Sequence, residues 1–579
     1  MTEMAETVWR RWHGEARLLP PLRSELQTLI ESGAQAELLD RFGEDLQFGT
    51  GGLRAKMGVG TNRMNVYTVR RATAGVVEWI RETAPRERRR LAIGFDGRRD
   101  SQTFAREIAG VAAARGVPAC LFAAARPTPM LSFAVRHLQC AAGVMVTASH
   151  NPPEYNGYKV YGPDGGQVLP DDAERMVALM RQETDMFDVV ALPPDDERYR
   201  ALVAILAEDV ERAYYERLAP LMTAESATNK DALTIVYTPL HGTGGETVPR
   251  ALRLAGYNHV YTVPEQSTLD DRFTFARSPN PEEGVAYDRA LVLAQERSAD
   301  IVLATDPDAD RVGMMARRTD GQYELLTGNE VGALFLSYYL EALRGQGRVP
   351  ERGAVVTTIV SSDFGEAVAR AYGVSTERTL TGFKYIGDKI GQYERDGTRQ
   401  FVFGYEESVG YLLLPFVRDK DGIQAAVFLA NMAASLKRRH GDLSIALQAL
   451  HSRFGYYRDR LLSYTFAGRD GLQRMNALMS DLRRNPLQAQ DAPLSAVEDY
   501  LTLLAIDMTG GQQSALNLPA SDVLKFRFTG DAWIAVRPSG TEPKLKVYIG
   551  VKGTDTQTAN DQVERLQSVV EARLQAFLA

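Results

Sequence analysis

The sequence predicts an α/β protein of three α/β domains with mostly parallel sheets, followed by a smaller C-terminal α+β domain. The chain has 579 residues, which is too many for one hydrophobic core, and roughly 150 residues per domain suggests about four domains. Helical and strand patterns alternate in three successive rounds, as is typical of βαβ units with parallel strands. The last quarter of the chain departs from this alternation, which indicates a different kind of domain.

The first round predicts three buried strands and two helices, the second of which begins at the N-cap Ser101 and ends near Gly116. One helical face carries apolar residues at the expected spacing, namely Val69, Ala72, Val76, Trp79 and Ile80. The strands are short apolar runs at residues 91–95, 119–122 and 141–146. Continuous apolar runs of this length are typical of strands buried on both faces, as in parallel sheets.

The second and third rounds repeat the alternation. The second predicts strands at residues 233–237, 259–263 and 301–304. The third predicts a helix at 331–343, strands at 354–360 and 401–403, and a helix at 423–438. The last quarter predicts strands at 526–528, 533–536 and 545–549 before a closing amphipathic helix. We therefore expect domains at residues 1–205, 206–326, 327–455 and 456–579.

Composition narrows the possible classes of function. A net charge of −7, with 44% hydrophobic and 24% charged residues, is that of an ordinary globular protein. The sequence lacks the excess of basic residues that is typical of nucleic-acid binding. No apolar segment reaches the roughly 18 residues of a membrane span. Cys120 and Cys140 lie in apolar runs, which favours buried thiols in a reducing compartment. With no apolar signal segment near Met1, we expect a cytoplasmic protein that binds neither nucleic acid nor membrane.

Residues 147–152, Thr-Ala-Ser-His-Asn-Pro, form the most informative segment. They place Ser149 directly after a predicted buried strand, where ligands bind in open α/β sheets. Ser149 is therefore either a nucleophile or a turn residue, and these six residues leave both possibilities open. A structural hydrogen bond is the default role for His150, although its position beside Ser149 also makes it a catalytic candidate.

Asp306, Asp308 and Asp310 follow another predicted buried strand. On an extended backbone, carboxylates at i, i+2 and i+4 project to one side. Their repulsion is unfavourable unless a cation lies between them, and an all-oxygen site with room for a phosphate oxygen suits Mg²⁺. An acidic surface turn is the alternative. An EF-hand is excluded because the loop lacks its glycine and its final glutamate.

Two further clusters supply phosphate and sugar ligands. Residues 537–544 combine Arg537, two hydroxyls, a glycine and a lysine between two predicted strands, as a phosphate clamp requires. Residues 404–408 follow a predicted strand, and their carboxylate and hydroxyl groups can bind vicinal sugar hydroxyls. A plain hairpin loop and an acidic loop are the respective alternatives.

Weaker signals are spread through the rest of the chain. Residues 381–384, residues 418–422 and Lys159 are polar or charged, and each is uninformative alone. Gly-Thr-Gly-Gly occurs at 49–52 and at 242–245, either to offer backbone amides to an anion or as ordinary turns. Neither loop matches the dinucleotide fingerprint, and there is no Walker A motif. Together the motifs describe phosphoryl transfer, which needs mainly positioning and charge neutralisation.

These motifs, in this order, resemble those of the α-D-phosphohexomutase superfamily, which includes phosphoglucomutases and phosphomannomutases. The resemblance rests on the phosphoserine loop at 147–152, the metal loop at 306–311, the sugar loop at 406–408 and the phosphate loop at 537–543, and it covers nearly the whole chain. It implies three α/β domains and a fourth, mobile domain around a central cleft. Pro307 and Ala309 stand where many relatives have glycine, and with residues 404–408 they resemble the branch of phosphoglucomutase-2-like and phosphopentomutase-like members.

The resemblance also implies a role for particular residues. Ser149 is carried as phosphoserine, and Mg²⁺ is held by Asp306, Asp308, Asp310 and the phosphate on Ser149. Arg54 and Lys159 lie beside the transferring phosphate. The substrate-binding set is Thr381, Gly382, Lys384, Glu406, Ser408, Lys420, Arg537, Ser539, Gly540 and Thr541.

We therefore expect an enzyme that interconverts glucose 1-phosphate and glucose 6-phosphate through phospho-Ser149 and glucose 1,6-bisphosphate. Its partners are small sugar phosphates, and it is a monomer or a dimer. Phosphopentomutase and phosphomannomutase activities are alternatives within the class. Outside it, a sugar phosphohydrolase or a non-catalytic sugar-phosphate sensor could use the same groups.

Overall fold

The computed structural model describes residues 2–49, 52–222, 230–466, 470–538 and 544–578. The chain divides into two compact units, and it passes between them five times. Unit 1 comprises Met1–Leu326, Ile386–Gly397 and Ser408–Asp442. Unit 2 comprises Thr327–Tyr385, Thr398–Glu407 and Leu443–Ala579.

The first sheet of unit 1 has six strands in the order β1-β5-β4-β2-β3-β6. These are β1 Gly52–Lys56, β2 Leu91–Phe95, β3 Ala119–Phe122, β4 Ala142–Val146, β5 Tyr155–Tyr161 and β6 Val203–Leu206. Strands β4, β2, β3 and β6 are parallel, while β5 runs antiparallel between β4 and β1. The three strands that the apolar runs predict are thus present, and the sheet is mixed.

The second sheet of unit 1 has five strands in the order β11-β10-β9-β7-β8. These are β7 Ile235–Thr238, β8 Val260–Thr262, β9 Ile301–Thr305, β10 Val312–Arg317 and β11 Tyr323–Leu325. Strands β9, β7 and β8 are parallel, and β10 and β11 extend the sheet antiparallel. In both sheets a predicted parallel core is bordered by antiparallel strands, and both loops that follow β4 and β9 lead into such a strand.

Unit 2 contains three parallel strands and a separate strand-rich sheet. The parallel strands are β12 Gly353–Thr358, β13 Ser375–Thr379 and β14 Gln400–Glu406, with β12 in the middle. The short strand β15 Gly410–Leu412 belongs to unit 1, where Gly410 forms a bridge to Arg311.

The C-terminal sheet of unit 2 is antiparallel, in the order β16-β22-β21-β20-β17-β18-β19. Its strands are β16 Tyr456–Thr465, β17 Leu494–Asp499, β18 Leu504–Asp507, β19 Gln513–Ala515, β20 Leu524–Phe528, β21 Ala532–Pro538 and β22 Lys544–Gly553. The long C-terminal helix α19, Thr556–Leu578, contributes Val563, Leu566 and Val570 to a core formed with this sheet. The predicted three α/β domains and C-terminal α+β domain are confirmed.

The helices follow the amphipathic patterns in the sequence. In unit 1 they are α1 Thr2–Gly14, α2 Pro20–Glu31, α3 Gln35–Phe42, α4 Val66–Thr83, α5 Ser101–Ala114, α6 Thr128–His137, α7 Pro170–Met180, α8 Glu197–Leu202, α9 Glu208–Arg217, α10 Ala219–Met222, α11 Gly244–Leu254 and α12 Asp288–Arg297. The later helices are α13 Gly328–Gly345, α14 Phe364–Ala371, α15 Phe383–Asp396, α16 Gly422–His440, α17 Leu443–Phe454, α18 Gly471–Arg484 and α19 Thr556–Leu578. Across the described residues, no helix is long and apolar enough to cross a membrane.

Three helix starts depend on specific caps. The Asn65 side chain accepts hydrogen bonds from the first turn of α4, and Thr327 with Glu330 forms a capping box at the start of α13. The Asp421 carboxylate likewise accepts from the amides of Ile423 and Gln424 and so begins α16. This last cap fixes the chain immediately after Lys420, which is a candidate site residue.

Candidate active site

The serine loop, residues 147–154, joins β4 to β5 and holds Ser149 in a strained conformation. Ser149 is 3% exposed and has a φ of +52°, in the left-handed region that residues with a side chain rarely adopt. Its amide donates to Thr147 Oγ1 at 2.9 Å. Its hydroxyl donates to Asp306 Oδ2 at 2.6 Å, across 157 residues of sequence. The structure therefore brings the predicted serine to the predicted aspartate triplet.

The metal loop, residues 306–311, folds as a tight turn after β9. The prediction of an extended backbone is wrong, because the Ala309 amide donates to the Asp306 carbonyl at 2.9 Å and Ala309 has a φ of +50°. The three side chains are therefore brought together by the turn, and not by alternation along an extended strand. One carboxylate oxygen from each of Asp306, Asp308 and Asp310 lies within 4.8 Å of the others, and all three side chains are buried.

The donor set of this turn fits a hard divalent cation. Asp308 Oδ1 and Asp310 Oδ1 are buried and have no hydrogen-bond partner among the described residues. Burial, followed by the charges of Asp308 and Asp310, raises the pKa of Asp306 well above its ordinary value. Oxygen-only ligands in such a concentration of negative charge suit Mg²⁺. Asp306, Asp308 and Asp310 are the residues that would hold it.

Two lysines flank the aspartates. Lys159 on β5 contacts Asp308 Oδ2 at 2.7 Å and Asp310 Oδ2 at 3.4 Å through Nζ. Lys420 Nζ lies 3.2 Å from Asp310 Oδ2 and 2.9 Å from Asp419 Oδ1. Burial lowers the pKa of Lys159, but the charges of Asp308 and Asp310 outweigh it and leave that pKa raised. Both lysines are thus ion-paired cations.

Two residues of this site were missed by the sequence reasoning. Thr128, the first residue of α6, donates from Oγ1 to Asp308 Oδ2 at 2.7 Å and from its amide to the Asp308 carbonyl at 2.9 Å. Asp419 accepts from the Tyr161 hydroxyl at 2.9 Å as well as from Lys420. The signal for Asp419 lay in the charged run 418–422, whereas nothing in the sequence around Thr128 indicated a role.

Arg54 contacts the serine loop from β1, and His150 is a residue of that loop. Arg54 lies on β1, opposite Gly157 of β5, and its Nη1 donates to Asn151 Oδ1 at 3.1 Å. His150 Nδ1 is 3.4 Å from Ser149 Oγ, which is a long contact for a hydrogen bond. Arg54 is exposed, so its guanidinium can meet an incoming anion.

The second Gly-Thr-Gly-Gly loop packs against the metal loop. The Thr243 amide donates to the Pro307 carbonyl at 2.8 Å, and its hydroxyl is 3.0 Å from the same oxygen. A Cβ on Gly242 would lie 2.5 Å from Pro307 Cα, so glycine permits this close approach. This loop supports the metal turn, and its Thr243 amide faces backbone and not an anion. In the first such loop, residues 50 and 51 lie outside the described residues.

Unit 2 contains a second cluster, formed by Glu406, Gly382, Lys384 and Arg537. The Gly382 amide donates to Glu406 Oε1 at 2.8 Å, which orients a buried carboxylate at the end of β14. Burial and then the charge of Arg537 lower the pKa of Lys384 to about 8. The hydroxyl of the neighbouring Thr381 is buried without a hydrogen-bond partner in the described part of the chain.

The remaining predicted site residues are distributed as follows. Ser408 belongs to unit 1, where its carbonyl accepts from Arg311 Nη1 at 3.2 Å. Ser539, Gly540 and Thr541 lie outside the described residues.

Comparison with family models identifies the chain along most of its length. Four models match in order. They are the phosphoglucomutase/phosphomannomutase alpha/beta/alpha domains I, II and III, at residues 45–186, 212–321 and 327–454, and the C-terminal domain of the same family, at 486–568.

Whole-chain relatives agree with the family models. A phosphoglucomutase of Staphylococcus haemolyticus is 36% identical over 94% of this chain and 95% of its own length. A phosphoglucomutase of Staphylococcus aureus is 35% identical over 91% of this chain and 94% of its own.

Solved structures share the fold. The open form of parafusin, a phosphoglucomutase from Paramecium, superposes with a TM-score of 0.66 at 17% identity and covers 93% of this chain and 95% of its own. A phosphoglucomutase/phosphomannomutase family protein from Burkholderia thailandensis gives 0.64 at 17% identity and covers 91% and 97%. The serine beside a buried aspartate triplet thus lies in a chain that belongs to the phosphoglucomutase/phosphomannomutase family, and the protein is a phosphohexomutase.

Proposed function

We propose that this enzyme interconverts glucose 1-phosphate and glucose 6-phosphate through a phosphoserine at Ser149 and a glucose 1,6-bisphosphate intermediate. The observation that carries the proposal is the buried Ser149 hydroxyl, 2.6 Å from Asp306 in a carboxylate triplet that Lys159 also contacts. The glucose preference is supported by the relatives named phosphoglucomutase that match over nearly the whole chain.

The reaction proceeds by two phosphoryl transfers through one serine. In the first, the O6 hydroxyl of glucose 1-phosphate attacks phospho-Ser149, so that an O6–P bond forms, the Oγ–P bond breaks and the O6 proton leaves to a base. The bisphosphate then reorients in the site, so that its 1-phosphate faces Ser149. In the second transfer, Ser149 Oγ gives up its proton and attacks the 1-phosphate, so that an Oγ–P bond forms and the O1–P bond breaks. O1 takes up a proton, which leaves phosphoserine and releases glucose 6-phosphate. Return of the phosphate to Ser149 makes the enzyme a mutase and not a hydrolase.

The charged side chains of unit 1 stabilise the transferring group. Mg²⁺ bound by Asp306, Asp308 and Asp310 would neutralise charge on the phosphoryl oxygens. Lys159 and Lys420 lie against the same carboxylates, at 2.7 Å and 3.2 Å, and Arg54 reaches the serine loop from β1. Positively charged groups that are fixed before the substrate arrives lower the barrier without reorganisation. His150 is a further candidate for proton transfer at Ser149 Oγ.

The residues of the cluster in unit 2 recognise the rest of the substrate. The Glu406 carboxylate, which the Gly382 amide orients, accepts hydrogen bonds from the sugar hydroxyls. Lys384 and Arg537 bind the phosphate that does not react. Thr381, Ser408, Ser539, Gly540 and Thr541 complete the proposed substrate-binding set.

A substrate panel tests the sugar preference. The protein is assayed with Mg²⁺, catalytic glucose 1,6-bisphosphate and the 1-phosphates of glucose, mannose and ribose. We expect the highest kcat/KM for glucose 1-phosphate. A higher value for mannose or ribose would assign a phosphomannomutase or phosphopentomutase, and stoichiometric release of inorganic phosphate would assign a phosphohydrolase.

Phosphopeptide mapping tests the carrier. The enzyme is incubated with glucose 1,6-bisphosphate, quenched and digested, and mass spectrometry locates the phosphate. We expect the phosphate on Ser149. When glucose 1-phosphate is then added, Ser149 should lose this phosphate at a rate equal to that of turnover. Turnover without a phosphorylated Ser149 peptide would contradict the mechanism.

A further inference from the structure

Arg98, which the reaction scheme does not use, fills the inside of the serine loop. It follows β2 and is 3% exposed. Its guanidinium donates four hydrogen bonds to backbone carbonyls of the segment that begins at the serine: to Ser149 at 2.5 Å, Asn151 at 2.6 Å, Pro152 at 2.9 Å and Tyr155 at 3.1 Å. Because one rigid planar group holds four carbonyls, the path of the loop is set by this side chain.

The hydrogen bonds from Arg98 to the loop are important because Ser149 has a strained backbone conformation. A φ of +52° places its Cβ against its own carbonyl, which is unfavourable for any residue except glycine. Such a conformation persists only where the surroundings over-determine it. The bond from Arg98 Nη2 to the Ser149 carbonyl, together with the bond from the Ser149 amide to Thr147, fixes both sides of the strained residue. The same conformation directs Ser149 Oγ to Asp306.

Arg98 is itself held from two sides. Asp96 forms an ion pair with Arg98 Nε at 3.3 Å, and it also accepts from the Arg98 amide at 3.0 Å and from Ser101 Oγ at 2.8 Å. Phe273 lies in the segment between β8 and β9. Its ring covers the guanidinium, with 5.0 Å between Arg98 Cζ and the ring centroid. Phe273 is 4% exposed and also has a φ of +52°.

We infer that Arg98 is a positioning residue for phosphoryl transfer, which holds Ser149 in its left-handed conformation with Oγ aimed at the metal loop. Phe273 fixes Arg98 from the region that also supplies the metal loop, so the carrier serine and its aspartates are placed by one connected set of contacts. The inference rests on the proposed role of Ser149. Arg98 acts through the loop backbone and not on the substrate, since its donors are directed at four carbonyls.

The test compares Arg98→Lys, which keeps the charge but not the planar fork, with Arg99→Gln at the neighbouring position, where the arginine side chain is 57% exposed. We expect Arg98→Lys to lower kcat and the rate of Ser149 phosphorylation by glucose 1,6-bisphosphate about 100-fold, because misplacement of a reacting group by about 1 Å has that effect. KM for glucose 1-phosphate and the midpoint of thermal unfolding should stay close to those of the wild type. Arg99→Gln should leave all four quantities unchanged.

A rescue experiment separates positioning from general stability. Arg98→Ala is assayed with added guanidinium ion at concentrations below those that unfold the protein. Recovery of kcat at constant KM supports the inference, and a change in unfolding midpoint without a split between kcat and KM counts against it. If neither Arg98 variant folds, Phe273→Leu decides the question. A kcat about threefold lower with unchanged KM is expected for loss of the cation–π contact, and an unchanged kcat overturns the inference.

The two hypotheses fail in different ways. A wild-type enzyme that turns over with no phosphate on Ser149 overturns the proposed function, and with it the basis of this inference. A wild type that is phosphorylated on Ser149, together with an Arg98→Lys variant of undiminished kcat, overturns the inference alone.

Discussion

In the serine–aspartate site of unit 1, each lysine lies against carboxylates, whereas in the cluster of unit 2 Lys384 is placed near a like charge, Arg537. The contrast extends to their proton affinities. The pKa of Lys159 is raised by Asp308 and Asp310 against the effect of burial, while burial and Arg537 lower the pKa of Lys384 to about 8. The serine–aspartate site places Lys159 against carboxylates, whereas in the cluster of unit 2 the nearby charge of Arg537 weakens the hold of Lys384 on its proton. Neighbouring charges thus shift the pKa values of Lys159 and Lys384 in opposite directions.

The largest effect is expected at the serine. Ser149→Ala should reduce mutase activity by roughly 10⁴-fold or more, since removal of a nucleophile can cost up to about 10⁶-fold. Binding of glucose 1-phosphate, measured by calorimetry, should change little because the cluster in unit 2 is intact. Loss of binding in parallel with activity would show that the two regions do not divide the work as proposed.

A smaller but still large effect is expected at Asp308. Its Oδ2 accepts from both Thr128 and Lys159, so Asp308→Asn leaves a buried lysine with one carboxylate fewer. We expect activity to fall about 10²- to 10³-fold, as for loss of one electrostatic stabiliser. The Mg²⁺ concentration for half-maximal activity should rise. Asp320→Asn, at a side chain that is 52% exposed in the same unit, serves as the control and should leave both quantities unchanged.

In unit 2 the effect should appear in KM and depend on pH. Lys384 loses its proton as the pH rises through about 8, so its attraction for a phosphate weakens and KM should increase above that pH. Lys384→Gln should raise KM about tenfold with little change in kcat, as expected when uniform binding is removed. The variant should also flatten the alkaline rise of KM. A rise that persists in Lys384→Gln would exclude this lysine as its source, and Arg399→Gln provides a control at another cation of unit 2.

The smallest effect is expected at Ala309, whose φ of +50° favours glycine. Ala309→Gly relieves strain of about 1–2 kcal/mol but adds about 0.5–1 kcal/mol of unfolded-state entropy, so the net change in stability should be small. Mutase activity should stay near that of the wild type, and the unfolding midpoint should move only slightly upward. A large loss of activity would show that the turn needs the alanine methyl group to keep the aspartates together.

The parts of the fold that the sequence predicts are those with a strong local pattern. The buried parallel strands β2, β4 and β9 are continuous apolar runs, so their existence and approximate bounds can be read directly. Strand β5 was missed because its sequence, YNGYKVY, contains asparagine, glycine and lysine, which are depleted in strands. It is a strand because β4 and β1 pair with it on both sides. The predicted domain boundaries stay predictions.

The candidate site likewise contains residues that a local pattern reveals and residues that it does not. The aspartate triplet lies within five residues and so is visible as a motif, although its backbone was predicted extended and is a turn. Thr128 and Asp308 are 180 residues apart, and Arg98 and Ser149 are 51 apart, so no local pattern links them. Single polar residues acquire such roles only when the sheet order brings two loops together, and this order depends on long-range packing that one sequence does not show.

The five passages of the chain between the two units have a consequence for how the protein is made. Unit 1 receives its last segment, Ser408–Asp442, only after the first two segments of unit 2, Thr327–Tyr385 and Thr398–Glu407, have been synthesised. Until then the buried hydroxyls of Tyr161 and Tyr214 lack their acceptors Asp419 and Asp421, and each unsatisfied group costs about 1–3 kcal/mol. Unit 1 therefore acquires these acceptors only once the chain has been synthesised through residue 421, and a fragment ending at residue 326 would lack both of them.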